Sequence, residues 1–189
     1  MRAIIFFVVF TALFFPACKT SQLSNEERLA YEKKLIEKEN LRRIESEREA
    51  LRKFVTYVVG LKKGDTIERV FEIYGEPNEH KQHDETYTFN TVYYNFGDEP
   101  ALSFSYYKDT NKIYTIRVKR GAPKLLQQKN VDDTLYTGLH ADEIRKIFGY
   151  REIGRGNDLQ YKNKELTLEF TCYEFRDYIC SEYIVYWWY

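Results

Sequence analysis

The sequence feature that most constrains the fold is an internal repeat. Residues 64–75 and 138–149 align without a gap, and each copy begins and ends on glycine. The apolar residues of both copies stand three and four positions apart: Val70, Ile73 and Tyr74 in the first, and Ile144, Ile147 and Phe148 in the second. That spacing places one apolar stripe on a short helix, and a glycine suits the left-handed cap that ends it. The chain is therefore predicted to contain two related units, each built on a short helix.

Strand-like segments rich in β-branched and aromatic residues follow each predicted helix. They are residues 87–96, 101–107 and 112–119 in the first copy, and residues 159–162, 165–172 and 182–188 in the second. The apolar and polar residues alternate, as they do in strands with one buried face. The predicted fold is α+β, with an N-terminal helical stalk followed by two tandem units, residues 60–121 and 122–189. Each unit is a short helix packed on a small antiparallel sheet.

The stalk is predicted from residues 24–53, which are crowded with charged side chains and contain no glycine or proline. The segment opens with Ser24 and has Glu27 three residues later, which is a capping-box pattern. Its apolar residues are sparse at first and later approach heptad spacing, so its second half is expected to pack on another part of the chain. An intermolecular coiled coil is the alternative.

The N-terminus has the pattern of an export signal. Arg2 precedes an apolar run over residues 3–15, which is shorter than the roughly 20 residues that a membrane-spanning helix needs. Residues 15–18, Phe-Pro-Ala-Cys, resemble the bacterial lipobox. Residues 1–17 are therefore predicted to be a signal peptide, and residues 18–59 a lipid-anchored linker and charged helix, with the lipid on Cys18. Lys19 favours the outer membrane; an ordinary secretory signal is the alternative.

Two further cysteines, Cys172 and Cys180, remain if Cys18 carries lipid. An exported chain meets an oxidising compartment, so these two are expected to form a disulfide. They flank the tip of a predicted hairpin, which would bring their α-carbons within bonding range. The alternative is two separate thiols, one of them facing the core.

Charge and composition exclude some classes of function. The formal net charge is zero and the isoelectric point is about 6.8, so no overall basic field attracts nucleic acid. The basic residues Lys119, Arg120 and Lys124 cluster between the two units, where Gly121 and Pro123 predict a solvated linker. The 17 tyrosines and 13 phenylalanines favour strands and aromatic surfaces.

The first repeat, with Thr66 as helix cap, then Val70, Gly75 and Pro77, and with Tyr94 in a following strand, resembles the BamE family of small outer-membrane-assembly lipoproteins, also called SmpA/OmlA. Two such units in tandem also resemble the secreted β-lactamase-inhibitor proteins. The second copy departs from the pattern, and so does Asp65 in the first. This resemblance implies an envelope location and protein binding without cofactor or catalysis.

The three histidines are candidates for metal binding or catalysis. His80 and His83 lie in one polar loop with several carboxylates, so a metal site is conceivable, but the spacing matches no closed tetrahedral motif and a hydrated loop is preferred. His140 is expected to cap its helix or lie beside it, because no residue is placed to form a catalytic relay with it. No catalytic residue, metal ligand or cofactor is predicted.

A protein-binding face is predicted by aligning the last strands of the two copies. Tyr114, Ile116 and Val118 align with Tyr183, Val185 and Trp187 and are expected to face the helices. Residues on the opposite face then lack a core to explain them, and Tyr, Trp and Arg often carry interface energy. The predicted binding residues are Tyr107, Arg117, Ile184, Tyr186 and Trp188. The alternative is that the stalk helix or the other unit covers this face.

These features predict a membrane-anchored lipoprotein that acts as a non-catalytic protein-interaction module in the cell envelope, and outer-membrane assembly or integrity is one candidate process for it. Its expected partners are the membrane, through the lipid on Cys18, and an envelope protein, with no nucleic acid and no small-molecule substrate. An inhibitor-like binder of a secreted or periplasmic hydrolase, or a metal-binding envelope protein, is the alternative.

The lipid anchor gives a first testable prediction. Cys18→Ala removes the sulfur that would carry the acyl chains, so the variant is expected in a soluble compartment or as an uncleaved precursor. Fractionation and detergent partitioning measure this. Unchanged partitioning of the variant into the detergent phase would contradict the anchor.

Overall fold

The computed structural model describes residues 24–150, 158–173 and 176–189. Across these ranges the chain forms four helices and one antiparallel sheet of seven strands, so the α+β class is confirmed. The predicted signal peptide and Cys18 lie outside the described residues.

The elements agree closely with the sequence pattern. The helices are α1 (Asn25–Thr56), α2 (Ile67–Tyr74), α3 (Ala122–Gln128) and α4 (Ala141–Phe148). The strands are β1 (Glu79–Lys81), β2 (Phe89–Phe96), β3 (Glu99–Tyr107), β4 (Ile113–Val118), β5 (Asp158–Lys162), β6 (Leu166–Tyr173) and β7 (Ile179–Trp187).

The chain divides within α1 into two compact units, one extending to Lys38 and one beginning at Glu39. In the first, the described residues form exposed helix, and the predicted capping box is present. The backbone N–H of Glu27 donates to Ser24 Oγ at 3.2 Å, and the backbone N–H of Ser24 donates to Glu27 Oε2 at 2.8 Å. This pair satisfies donors at the start of the helix that have no partner within it.

The prediction of two tandem units with separate sheets is wrong. The strand order is β1-β2-β3-β4-β7-β6-β5, so the two repeats share one sheet. β4 pairs antiparallel with β7 from Thr115 opposite Tyr186 to Val118 opposite Tyr183. This pairing satisfies the backbone groups at what would otherwise be a free edge of each half.

The repeat is nevertheless visible in the packing of each half. The hydroxyl of Tyr94 on β2 donates to the carbonyl of Gly75 at 2.8 Å, and that of Tyr161 on β5 donates to the carbonyl of Gly149 at 3.0 Å. Each tyrosine therefore holds the glycine that ends the helix of its own repeat. The last aromatic residue of each helix packs against β3 or β6: Tyr74 lies 5.6 Å from Phe104 between ring centroids, and Phe148 lies 5.5 Å from Phe170.

The expected linker between the two halves is instead the helix α3. Pro123 lies in its first turn, where a missing N–H costs nothing, and Leu125 and Leu126 are buried. Gly121 precedes the helix because a Cβ there would lie 2.9 Å from the carbonyl oxygens of Glu99 and Pro100. Glycine and proline therefore mark the beginning of a helix here, not a solvated connection.

The C-terminal part of α1 packs on the sheet, as its heptad-like spacing predicts. Leu51 and Phe54 are buried, and the Phe54 ring lies 5.7 Å from Phe148 and 6.0 Å from Tyr183 between centroids. The buried indole N–H of Trp187 donates to the backbone carbonyl of Phe54 at 2.8 Å. One hydrogen bond thus connects α1 to the end of β7.

A disulfide joins Cys172 on β6 to Cys180 on β7, as the export argument predicts. Both cysteines are buried and face each other across the two strands. A β-bulge lies next to this pair: Thr171 is opposite Glu182 and Cys172 is opposite Cys180, so Ser181 is the extra residue on β7.

Reduction of this disulfide should destabilise the sheet without unfolding it. Closing so short a loop contributes roughly 2.5 kcal/mol in the chain-entropy model, so Cys172→Ala/Cys180→Ala is expected to lower the free energy of unfolding by about that amount. Urea unfolding of the oxidised and reduced wild type and of the variant measures the change. Two alkylatable thiols in non-reduced protein from an oxidising compartment would contradict the disulfide.

Candidate functional site

The two faces of the sheet differ in what covers them. One face, here called the core face, carries Phe104, Ile116, Leu168 and Val185, all buried in the hydrophobic core. Helices α1, α2 and α4 pack on it through Phe54, Tyr74 and Phe148. The opposite face, here called the open face, carries the residues that alternate with these along each strand: Thr91, Tyr93, Ser103, Ser105, Thr115, Arg117, Thr167, Glu169, Glu182, Ile184 and Tyr186.

All five predicted binding residues lie on the open face, but they differ in exposure. Trp188 is 53% exposed, and its indole N–H donates to Thr167 Oγ1 at 3.3 Å. Tyr107, Arg117 and Tyr186 are half-buried. Ile184 is only 3% exposed, because it lies between Arg117 on β4 and Glu169 on β6. Ile184 is thus covered by its neighbours on the open face and offers little contact area itself.

The predicted orientation of Tyr114 is wrong. The pairing of β3 with β4 shifts between Ser105 and Tyr106, which lie opposite Thr115 and Ile113. Tyr114 is the extra residue of this bulge, and a bulge changes the alternation of side chains along its strand. Its ring therefore stacks on Tyr107 of the open face, with 4.6 Å between centroids and 24° between planes.

The bulge completes a row of rings across one end of the open face, here called the aromatic row. It consists of Tyr189, Tyr107, Tyr114, Phe89, His83 and Tyr87. Successive centroids are 6.3, 4.6, 5.7, 4.7 and 5.1 Å apart, which is the range of favourable aromatic contacts. Of these residues, the sequence pattern predicts only Tyr107 on the open face. The row also includes residues from a bulge and a loop and the last residue of the sequence, to which strand alternation does not apply. The high tyrosine content was the only signal that could have indicated it.

Tyr189 is held in the row by its hydroxyl. That group donates to the carbonyl of Ile113 at 2.6 Å and accepts the backbone N–H of Gly64 at 3.0 Å. The ammonium groups of Lys63 and Lys112 lie 5.6 and 5.5 Å from the centre of its ring, within cation–π range. One end of the aromatic row is therefore fixed by backbone and by two cations.

Charged groups occupy the middle of the open face. Arg117 pairs with Glu182 at 3.5 Å, and Lys119 approaches the same carboxylate at 3.9 Å. Towards β5, burial and then the carboxylate of Glu169 raise the pKa of Asp158. The open face thus combines an ion pair, neighbouring carboxylates and aromatic rings.

The two loop histidines point to opposite faces and do not form a common site. His80 lies in β1 opposite Val92, and its Nε2 is 2.8 Å from the hydroxyl of Tyr106. His83 packs in the aromatic row, 4.7 Å from Phe89 between centroids. Among the described residues, no group of three or more His, Cys, Asp or Glu side chains is arranged to hold a metal ion.

His140 lies at the position predicted for it, at the start of α4. Its Nδ1 accepts the backbone N–H of Asp142 at 3.0 Å, and Glu143 accepts the backbone N–H of His140 at 2.9 Å. The imidazole takes the part that serine or threonine usually takes in a capping box.

Comparison with known proteins gives no family for this chain. No family model and no curated protein matches it. An extracellular protein containing a SCP domain from Bacillus anthracis str. Ames is similar in structure with a TM-score of 0.42 and 12% identity, over 70% of this chain and 46% of that one. A cysteine-rich secretory protein from Staphylococcus aureus subsp. aureus Mu50 has a TM-score of 0.46 and 12% identity, over 70% of this chain and 47% of that one. This chain matches about half the length of either protein.

The assignment to the BamE family, alone or in tandem, is therefore wrong. No family model matches the chain, and its two repeats share a single sheet instead of forming separate units. Short motifs such as Gly64 to Pro77 describe a capped helix followed by a strand, and that local pattern is not specific to one fold. In the described part of the chain, no helix is long and apolar enough to cross a membrane.

The separation of the histidines gives a testable prediction about metals. Because His80 and His83 lie on opposite faces, titration with Zn²⁺ is expected to show no site of one ion per chain. Isothermal calorimetry of wild type and of His80→Ala/His83→Ala should give the same result. A stoichiometric site in the wild type that is lost in the variant would favour the metal-binding alternative.

Proposed function

We propose that the chain is an exported lipoprotein, held by lipid on Cys18, that binds another envelope protein through the open face without catalysing a reaction. The observation that carries the proposal is the arrangement of Tyr107, Tyr114, Tyr186 and Trp188 on the face opposite the packed helices. Side chains of this kind supply most of the energy in protein interfaces.

The chemistry of the open face supports a protein partner. The rings of Tyr107, Tyr114 and Phe89 pack on one another on this face. Arg117 and Glu182 add a salt bridge between charged side chains. Aromatic and arginine side chains surrounded by polar groups are typical of protein interfaces, whereas nucleic acid requires a basic surface. Neutral net charge and neighbouring carboxylates around Asp158 and Glu169 disfavour the latter.

The double variant Tyr186→Thr/Trp188→Thr tests the open face. Threonine keeps the strand preference while removing both rings, so we expect partner binding to weaken by at least about 30-fold. Binding is measured by capture and crosslinking from envelope extracts with the lipidated protein, followed by titration of the identified partner. The midpoint of thermal unfolding should change by no more than a few degrees.

Tyr31→Thr is the matched control, since Tyr31 is an exposed tyrosine on α1 outside the open face. It should bind the partner as the wild type does. Equal binding by the double variant, or a large loss of thermal stability in it, would refute this use of the open face. Membrane anchoring is tested separately by Cys18→Ala.

A further inference from the structure

A small pocket on the other side of the molecule has features that neither the fold nor the open face explains. It lies between the end of α1 and the segment that connects α3 to α4, and its volume is about 190 Å³. Three aromatic side chains line it, those of Phe54, Tyr57 and Tyr136, and the rings of Phe54 and Tyr136 are 5.4 Å apart. Its other lining residues are Lys53, Thr56, Asp133 and Thr134. We call it the α1 pocket.

One carboxylate in the α1 pocket, that of Asp133, has no counter-ion among the residues that the structure describes. Asp133 accepts the backbone N–H groups of Val59 and Thr134. Burial, opposed by these hydrogen bonds, raises the pKa of Asp133. Within the described ranges, no Lys, Arg or His side chain forms an ion pair with Asp133. A partly buried carboxylate without a counter-ion attracts a cation more strongly than an exposed carboxylate does.

A buried tyrosine, Tyr183, packs behind the pocket wall. The hydroxyl of Tyr183 is fully buried and is, in the described part of the chain, the only buried side-chain oxygen or nitrogen without a hydrogen-bond partner. Its ring lies 6.0 Å from those of Phe54 and Tyr136, which line the pocket. Burial, followed by the charge of Asp133, raises the pKa of Tyr183. The carboxylate of Asp133 and the ring of Tyr183 therefore both lie beside the aromatic residues of the α1 pocket.

We propose that the α1 pocket binds an ammonium group, with Asp133 as its counter-ion and Phe54, Tyr57 and Tyr136 as its aromatic walls. Aromatic faces attract organic cations through the ring quadrupole, and such cages are the usual recognition sites for ammonium groups. Asp133 is the one carboxylate among the lining residues that the structure describes, whereas all-protein sites for hard metal ions usually contain several carboxylate or carbonyl ligands. The volume accommodates the head of a choline molecule or the end of a lysine side chain. This site is independent of the open face.

Equilibrium dialysis of labelled choline against detergent-solubilised full-chain protein tests the proposal. We expect saturable binding of one choline per chain. Its neutral isostere 3,3-dimethylbutanol should compete at least about tenfold more weakly, because it lacks the charge that Asp133 and the rings attract. Competition by N-acetyl-lysine methylamide determines whether lysine side chains are also accepted, and therefore whether the source of the ammonium is a small amine or a protein.

Two variants assign the binding to the α1 pocket. Asp133→Asn keeps an acceptor for the N–H of Val59 but removes the charge, and should weaken choline binding at least about tenfold. Tyr57→Leu keeps apolar volume at a residue that is 43% exposed, and should weaken it about threefold to tenfold by removing the ring. Tyr87→Leu, a similarly exposed tyrosine in the aromatic row, is the control and should bind choline as the wild type does.

Lys53 tests whether a positive charge at the pocket opposes choline binding, as the proposal requires. Lys53 is one of the residues that line the pocket, so Lys53→Met should tighten choline binding by removing a like charge. The proposal is refuted if neither amine binds saturably, if the neutral isostere binds as well as choline, or if Asp133→Asn and Tyr57→Leu both bind choline as the wild type does.

Discussion

The structure depends on one antiparallel pairing, that of β4 with β7. It places Ile116 opposite Val185, two residues that occupy corresponding positions in the two repeats. The halves are therefore related by an approximate twofold axis that passes through their shared sheet. Without this pairing each half would have an unpaired edge and a helix covering only a few strands, which is marginal for a stable core. Joined, they create one core large enough to receive the end of α1 and, on the other side, one continuous open face.

Local elements were predictable because their signals are local. The glycine-bounded stripe ending at Tyr74 and its counterpart ending at Phe148 predicted both short helices, and alternation around Phe104 and Phe170 predicted the strands. Two features of the fold, α3 and the pairing of β4 with β7, were not predicted. Pro123 favours a loop in the sequence pattern, although Leu125 and Leu126 following it are buried residues of α3. The β4–β7 pairing is a long-range contact, which no pattern within either repeat specifies.

The candidate sites were less predictable than the fold, because they depend on contacts between residues that are distant in the sequence. Period-two alternation correctly placed Tyr107, Arg117 and Tyr186 on one face, but a single bulge reversed Tyr114 and with it the content of the aromatic row. Burial of Ile184 depends on its neighbours on two adjacent strands, which the sequence does not identify. The α1 pocket was not predicted at all, because Phe54, Tyr136 and Asp133 come from separate segments with no shared motif.

The position of β7 also determines when the chain can fold. β7 follows the other six strands in the sequence, yet it lies between β4 and β6 in the sheet and provides the indole that holds α1. A nascent chain that ends before residue 179 thus contains β1 to β4 and β5 to β6 but lacks the strand that joins them. The sheet is therefore completed only after β7 has been synthesised. A premature stop before β7 leaves two exposed strand edges, those of β4 and β6, and such a state is prone to aggregation.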